Sequence, residues 1–345
     1  MLIIGTVIGA GFASGQEIVA FFGESYISPF IAPVCGVLIA AGSFLFLRIG
    51  AIFRAKNVSQ LNMHIFGRLH PAADLFLLFN SLIVLAGMLA GLDSLGNMFA
   101  PLRPLWSVAG GALCALVVYK GLKGLLRCNS LLIPAVIAVI LAVCCMSFGP
   151  PLAQTDLSFS PAACAVYSSM NLILAATVLA TAEVDAARAA VSSAAAGAVM
   201  GTLLFFIIIA LNANGASGVM PLLGFARSYP ALFYVMAAVV GAAIFTTMLT
   251  AASGLTDWLA AVTGDRLFSV VAVVLSGLIL SNLGFETVVR LLYPAIGVAG
   301  AVYVAASAVA AIRAGRAKAI RRGACGTAFR RKRRQDTSAR QARTE

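Results

Sequence analysis

Apolar residues fill this chain in blocks of roughly 16–32 residues, set apart by short polar stretches. Read as helices, the blocks fall at about 2–22, 29–53, 72–98, 105–121, 129–148, 162–182, 189–212, 229–260, 267–282 and 286–312. Most are long enough to cross a hydrocarbon core of about 30 Å, and the shortest fall just below that length. The polar punctuation is basic or turn-forming. Arg54, Lys56, His64 and Arg68 follow the second block, Lys120, Lys123 and Arg127 flank the turn after the fourth, and Gly149-Pro150-Pro151 opens the loop that holds Asp156. The pattern predicts an all-α polytopic membrane protein with ten transmembrane helices.

Composition agrees. Of 345 residues, 61% are hydrophobic and 10% charged, with a mean hydropathy of +1.00. No soluble domain of this size is so apolar. No basic stretch precedes the first block, which argues against a cleaved signal peptide. The formal net charge of +12 is concentrated in a tail. Residues 313–345 hold twelve Lys/Arg and two acids, or +10, which leaves +2 for residues 1–312. The chain therefore divides into a membrane domain, 1–312, and a basic tail, 313–345, that lacks apolar periodicity and reads as disordered. The seven cysteines are scattered without a Cys-x-x-Cys and read as small apolar side chains.

Charge sets the orientation. With the N-terminus in the cytoplasm, inner loops and helix ends hold Arg48, Arg54, Lys56, Arg68, Lys120, Lys123, Arg127, Arg188 and Arg266. Outer loops hold Arg103 and Arg227. Nine against two satisfies the positive-inside rule and puts both termini inside. A repeat is also visible. Leu131-Leu132-Ile133-Pro134-Ala135 matches Leu291-Leu292-Tyr293-Pro294-Ala295 at a shift of 160 residues. The same shift lays spans 1–4 on spans 6–9 and Gly11 on Asn171. Five spans is an odd number, so the halves, about 1–148 and 162–312, run in opposite senses. This is a 5+5 inverted repeat, an architecture of secondary transporters.

The first span is a poor plain helix. Gly5, Gly9, Gly11 and Gly15 each cost about 1 kcal/mol against Ala, and Ser14, Gln16 and Glu17 follow in the same run. A charge deep in a membrane segment costs roughly 2.5–3.5 kcal/mol on insertion scales. A rise of about 1.5 Å per residue puts Gly9 to Gly15 roughly 12–21 Å deep, at the midplane. Non-helical backbone at that depth needs protein or a water-filled cavity around it. The expectation is an unwound stretch from Gly9 to Gly15 forming a polar site. The plainer alternative is that Gly5/Gly9 and Gly11/Gly15 are small-residue packing faces, but packing accounts for neither Gln16 nor Glu17.

Polar residues recur in two other spans. Tyr167 and Asn171 share a helix face in span 6, which suits either a ligand or an interhelical hydrogen bond. Span 8 carries Thr246, Thr247 and Thr250, whose hydroxyls could join carbonyls freed in span 1 to bind Na⁺, a hard cation that prefers oxygen. The plain alternative is that these threonines bond back to their own helix. Glu286 and Arg290 read as a structural i, i+4 pair. Asp93 reads as wet, near the outer end of span 3, and Asp74 as interfacial. His64 and His70 lie in or beside a loop, so no metal site beyond the Na⁺ candidate is expected. The sequence has no catalytic triad or His-Glu-x-x-His motif, so the chain is not read as an enzyme. Arg330 to Arg334 in the tail reads as an attraction to anionic membrane lipid. Nucleic acid is the weaker alternative.

The run from Gly5 to Glu17 closely resembles the opening of the YkvI family of bacterial membrane proteins. Tyr167 to Asn171 with Leu172-Ile173-Leu174, Phe245-Thr246-Thr247, and Gly284-Phe285 with Tyr293-Pro294 extend the resemblance, which excludes the tail. The family is similar to a distant branch of the amino acid–polyamine–organocation superfamily. That implies a LeuT-like fold with broken helices 1 and 6, often with sodium between helices 1 and 8. The expected function is secondary transport of a small polar organic solute, an amino acid or related amine, across a bacterial cytoplasmic membrane with Na⁺ or H⁺ coupling. The expected site is Gly9, Ala10, Gly11, Phe12, Ala13, Ser14, Gly15, Gln16, Glu17, Tyr167 and Asn171, without a cofactor other than a coupling ion. The amides of Gly9 to Gly15 would take an anionic group, and Glu17 an ammonium or a coupling proton. The competing classes are a channel and a membrane-embedded structural or sensory protein. A channel should show polar stripes on several helices, and a sensor a soluble domain.

Overall fold

The computed structural model describes residues 2–24, 26–55, 57–121, 125–151, 159–179, 182, 184–215 and 218–316. The basic tail from 317 onward, Asp156, Lys56 and Lys123 lie outside the described residues. Within them every regular element is helical. The first segment is three short pieces, α1 (Leu2–Val7), α2 (Ala10–Ser14) and α3 (Gln16–Phe22). There follow α4 (Ile31–Phe53), α5 (Val58–Phe66), α6 (His70–Gly96), α7 (Leu105–Lys120) and α8 (Leu125–Met146). The second half holds α9 (Pro161–Leu179), α10 (Ala186–Asn214), α11 (Pro221–Ala226), α12 (Pro230–Thr263), α13 (Arg266–Ser281) and α14 (Phe285–Arg316).

The apolar blocks became helices because a helix closes its own backbone hydrogen bonds, the condition for crossing lipid. Their ends follow local chemistry. Asn57, Asp185 and Asp265 accept backbone N–H bonds at the starts of α5, α10 and α13. Left-handed Gly121 and Gly264 stop α7 and α12. Two short helices depart from the expectation. α5 occupies a stretch read as loop, and α11 a stretch to which no element was assigned.

Packing depends on small residues. α4 lies along α10. A Cβ on Gly36 would stand 2.7 Å from the Gly197 carbonyl oxygen, and one on Gly201 3.2 Å from that of Ala32. α14 approaches α9 in the same way, at Gly297 over Val166 and Gly300 over Ser169. α6 packs on α12 and α13, α1 on α9, and α2 on α11 and α12. Large apolar side chains such as Ile279, Val302 and Val262 point outward, as lipid contact requires.

A polar cluster fastens α5 to the bundle. The Asp74 carboxylate accepts from Ser59 Oγ and from Asn62 Nδ2, both at 2.6 Å. Tyr303 Oη donates to Asn62 Oδ1 at 2.6 Å. Both Asp74 oxygens and both ends of the Asn62 amide are therefore partnered. Phe46, Phe66 and Phe76 surround the Tyr303 ring. Elsewhere Asn212 of α10 pairs with both backbone groups of Ile27, accepting at 2.9 Å and donating at 2.8 Å.

Candidate functional site

The first segment breaks twice. At the first break Gly9 is extended (φ −97°, ψ −177°), and its N–H reaches back to Val7 at 2.9 Å. At the second, Gly15 is left-handed (φ 80°), with its N–H on Phe12 at 3.1 Å. Gly15 is suited to the conformation, and a Cβ there would also stand 3.1 Å from Leu222 of α11. The break differs from the expectation of unwinding from Gly9 to Gly15, because Ala10–Ser14 keeps a helical turn between two hinges. Concentrating the irregularity at two residues leaves fewer backbone groups unpaired. The Ala13 amide bonds to Gly9. Ser14 Oγ donates to the Gly11 carbonyl at 3.0 Å and accepts from the Gln16 amide at 3.3 Å. Of the amides expected to hold an anion, the first-turn groups of α2 remain.

Glu17 is 4% exposed, and its Oε2 has no hydrogen-bond partner. Its carboxyl lies on Gly11, where any side chain would collide with it. Glycine at 11 thus provides the seat for the carboxyl. Four and five residues further on, the rings of Phe21 and Phe22 flank Tyr167 of α9, with centroids 5.3 and 5.4 Å away. Tyr167 is fully buried and its Oη is unpaired. Asn171 donates to the Tyr167 carbonyl at 3.0 Å, and its Oδ1 is unpaired. Tyr167 and Tyr293 of α14 both lie within electrostatic reach of the Glu17 carboxyl. Tyr293 is buried and turns its Oη toward Gly87 of α6, 3.2 Å from where a Cβ would stand.

The structure therefore gathers Gly11, Glu17, Tyr167 and Asn171, and adds Tyr293, which sequence reasoning left outside the site. Its signal was available in the repeat that paired Tyr293 with Ile133. Other expected members face elsewhere. Gln16, with its amide nitrogen turned to them, donates to the carbonyls of Val219 at 3.2 Å and Gly218 at 3.3 Å. Phe12 and Ala13 are core. Ser14 serves its own turn. Span 6, expected broken, is continuous over Pro161–Leu179. Thr246 bonds back to Ala243 at 3.1 Å, and exposed Thr250 bonds back to Thr246 at 2.9 Å. Thr247 alone of the three approaches the first break, its Oγ1 standing 4.0 Å from the Cβ position of Gly9.

Two other charges are corrected. Asp93, expected to be wet, is 3% exposed, and its Oδ1 accepts from the Ser107 amide at 2.8 Å, tying α6 to the first turn of α7. Arg290 pairs with Glu286 at 3.2 Å, as expected, and also with Glu24 beyond α3. Among the residues whose side-chain burial is described no Lys, Arg or His is buried, and among the described residues no group of three or more His, Cys, Asp or Glu could hold a metal. An unpaired buried polar atom costs about 1–3 kcal/mol. Three such atoms in one cluster, beside a doubly broken segment, mark a place that folding alone does not explain.

The fold has solved counterparts. The inward-facing conformation of Mhp1 superposes with a TM-score of 0.62, at 16% identity, over 86% of this chain and 71% of that one. Mhp1 in a closed conformation with bromovinylhydantoin bound, a nucleobase-cation-symport-1 family transporter, gives 0.52 at 16% identity, over 86% and 73%. The chain shares the fold of Mhp1. Five of its described helices are long and apolar enough to cross a membrane, and it is a multi-pass membrane protein. In sequence it is similar to YyaD of Bacillus subtilis (strain 168), described as an uncharacterized protein. They are 27% identical over 317 residues, 86% of this chain and 91% of YyaD. It is also similar to YkvI of the same organism, an uncharacterized membrane protein. The identity there is 32% over 155 residues, 42% of this chain and 43% of YkvI. The resemblance carried by the opening motif is thus found by comparison as well. No family model matches the chain.

Proposed function

We propose that the chain is a secondary active transporter that moves a small polar organic solute, an amino acid or related amine, by alternating access. The observation that carries this reading is the buried, unpaired cluster of Glu17, Tyr167 and Asn171 at the interrupted first segment. Helix interruptions of this kind are where transporters bind solutes. The cluster offers hydrogen-bond capacity that no protein group uses. In this reading residues 1–312 form the transporter, built as two inverted halves of five spans with both termini in the cytoplasm. The reciprocal approach of Gly36 and Gly197, one near the start of the second span of each half, supports such a two-fold relation. The basic tail attracts anionic lipid on the inner face.

Gln16 and Leu222 fasten the second break to α11 and to the turn before it, which lie on the outer side in this orientation. That closure, with the higher score against the inward-facing Mhp1 structure, supports an inward-facing form. Sodium, if it couples, sits between the carbonyls of the first break and Thr247; a proton, if it couples, sits on Glu17. The test is uptake of radiolabelled amino acids and amines by proteoliposomes of the purified protein, under a sodium or a pH gradient. Saturable, gradient-driven uptake is expected. Non-saturable flux would indicate a channel, and no uptake under either gradient contradicts the proposal.

A further inference from the structure

The chemistry of the cluster narrows the solute, given the transporter reading above. Its unpaired atoms are Glu17 Oε2, Asn171 Oδ1 and Tyr167 Oη. The first two accept in the ionised carboxylate and the amide, and the third can accept. The Asn171 nitrogen is already used on the Tyr167 carbonyl. The remaining backbone donors of the break, the first-turn amides of α2, are no vacant seat for an anion, because the Glu17 carboxyl already lies on Gly11 in that turn. A second carboxylate would meet the first. What the cluster lacks is a positive charge rich in N–H donors, and a primary ammonium has three. The rings of Tyr167, Phe21 and Phe22 add faces that attract cations.

We propose that Glu17 binds an organic ammonium ion and a proton in alternation, with Tyr167 and Asn171 accepting the remaining ammonium N–H groups, so that cation and proton are exchanged across the membrane. The ammonium enters as R–NH₃⁺ while the carboxyl proton leaves to water on the same side. On the opposite side a proton from water returns to the carboxylate as the ammonium departs. No electrons move, and the cluster is neutral in either loaded form. The empty form with a bare carboxylate is an uncompensated buried charge, and that disfavours a return without cargo.

Few other groups compete for the exchange. The ionisable groups near Glu17 are the phenols of Tyr167 on α9 and Tyr293 on α14, and the Cys35 thiol of α4 lies within electrostatic reach of Tyr167. Asp257 of α12 is exposed and paired with Arg266, and Glu24, Glu286 and Arg290 form their own exposed group. Arg227, just after α11, is exposed and rests over Phe233.

The test uses the purified full chain in detergent, weakly buffered with a pH-sensitive dye, and n-alkylammonium chlorides from ethyl to hexyl as probes. At least one should bind saturably, raise the unfolding temperature and release a proton for each cation bound. Sodium carboxylates of the same lengths should do neither, and tetramethylammonium, which has no N–H, should bind far more weakly. Glu17→Gln should abolish proton release. Tyr167→Phe, which needs no refolding of the segment, should weaken ammonium binding roughly ten- to a hundredfold and leave the proton released per bound cation unchanged. The proposal is overturned if no alkylammonium binds, if carboxylates or tetramethylammonium bind as tightly, or if binding proceeds without proton release. Proteoliposome uptake of zwitterionic amino acids by a protein that ignores alkylammonium ions would overturn this inference alone. Absence of all uptake would overturn the transporter reading on which it rests.

Discussion

At Asn62, Asp74 and Tyr303 the carboxylate oxygens and both ends of the amide have partners, whereas at Glu17, Tyr167 and Asn171 a carboxylate oxygen, a phenol and an amide oxygen have none. Both clusters are built from the same kinds of side chain, and both join helices distant in sequence. The first is complete, and its purpose is exhausted by holding α5 against α6 and α14. The second withholds its bonds from the protein, beside a segment that gives up helical continuity at two glycines. Between these two clusters, saturation separates the polar residues that hold the fold from those left open to a ligand. Burial alone does not.

Mutations that empty each cluster should act in opposite ways. The largest effect on folding is expected for Asn62→Leu, which strands the Tyr303 hydroxyl and one Asp74 oxygen. A loss of about 2–4 kcal/mol should appear in unfolding of the purified protein. If the variant is as stable as the parent, the complete cluster is not a fastening. Gly15→Ala comes next, at about 1–2 kcal/mol for the left-handed backbone, with a further penalty if Leu222 cannot withdraw. A neutral result would mean that the second hinge relaxes into ordinary helix. Asn171→Leu should change stability by less than about 1 kcal/mol and could raise it, since an unmet polar atom is removed, while solute binding is lost. A destabilisation as large as that of Asn62→Leu would erase the contrast. The smallest effects belong to the threonines. Thr247→Ala and Thr250→Ala should each stay within about 0.5 kcal/mol of the parent. Any sodium dependence of solute binding should weaken only in the Thr247 variant, and equal sensitivity at Thr250 would remove the reason for placing sodium at the first break.

Much of the fold was legible because membrane helices announce themselves in apolar runs. The span predicted at 105–121 is α7, Leu105–Lys120, and that at 229–260 is α12, Pro230–Thr263. Glycine density also located the interruption, but not its form, since composition cannot distinguish seven unwound residues from two hinges around a helical turn. α5 was missed because its mean hydropathy is low and its residues mix Ser59, Asn62 and His64 with apolar ones, so no membrane-length run marks it. The site was half legible. Glu17 and Asn171 stood out as polar residues in apolar runs, and Gln16 did so equally. Only the loop at Gly218–Val219, more than 200 residues away, reveals that the Gln16 amide is engaged. Asn212 illustrates the reverse. It is as conspicuous in its span as Asn171, yet the backbone of Ile27 satisfies it.

The central claim is that the unpaired cluster binds what the protein carries. Solute uptake by proteoliposomes containing wild-type protein, Glu17→Gln or Asn62→Leu, compared at equal amounts of folded protein, tests it most directly. The account predicts saturable uptake by the wild type, near-complete loss in Glu17→Gln despite an unchanged unfolding midpoint, and retained uptake per folded molecule in Asn62→Leu. Full uptake by Glu17→Gln would contradict it.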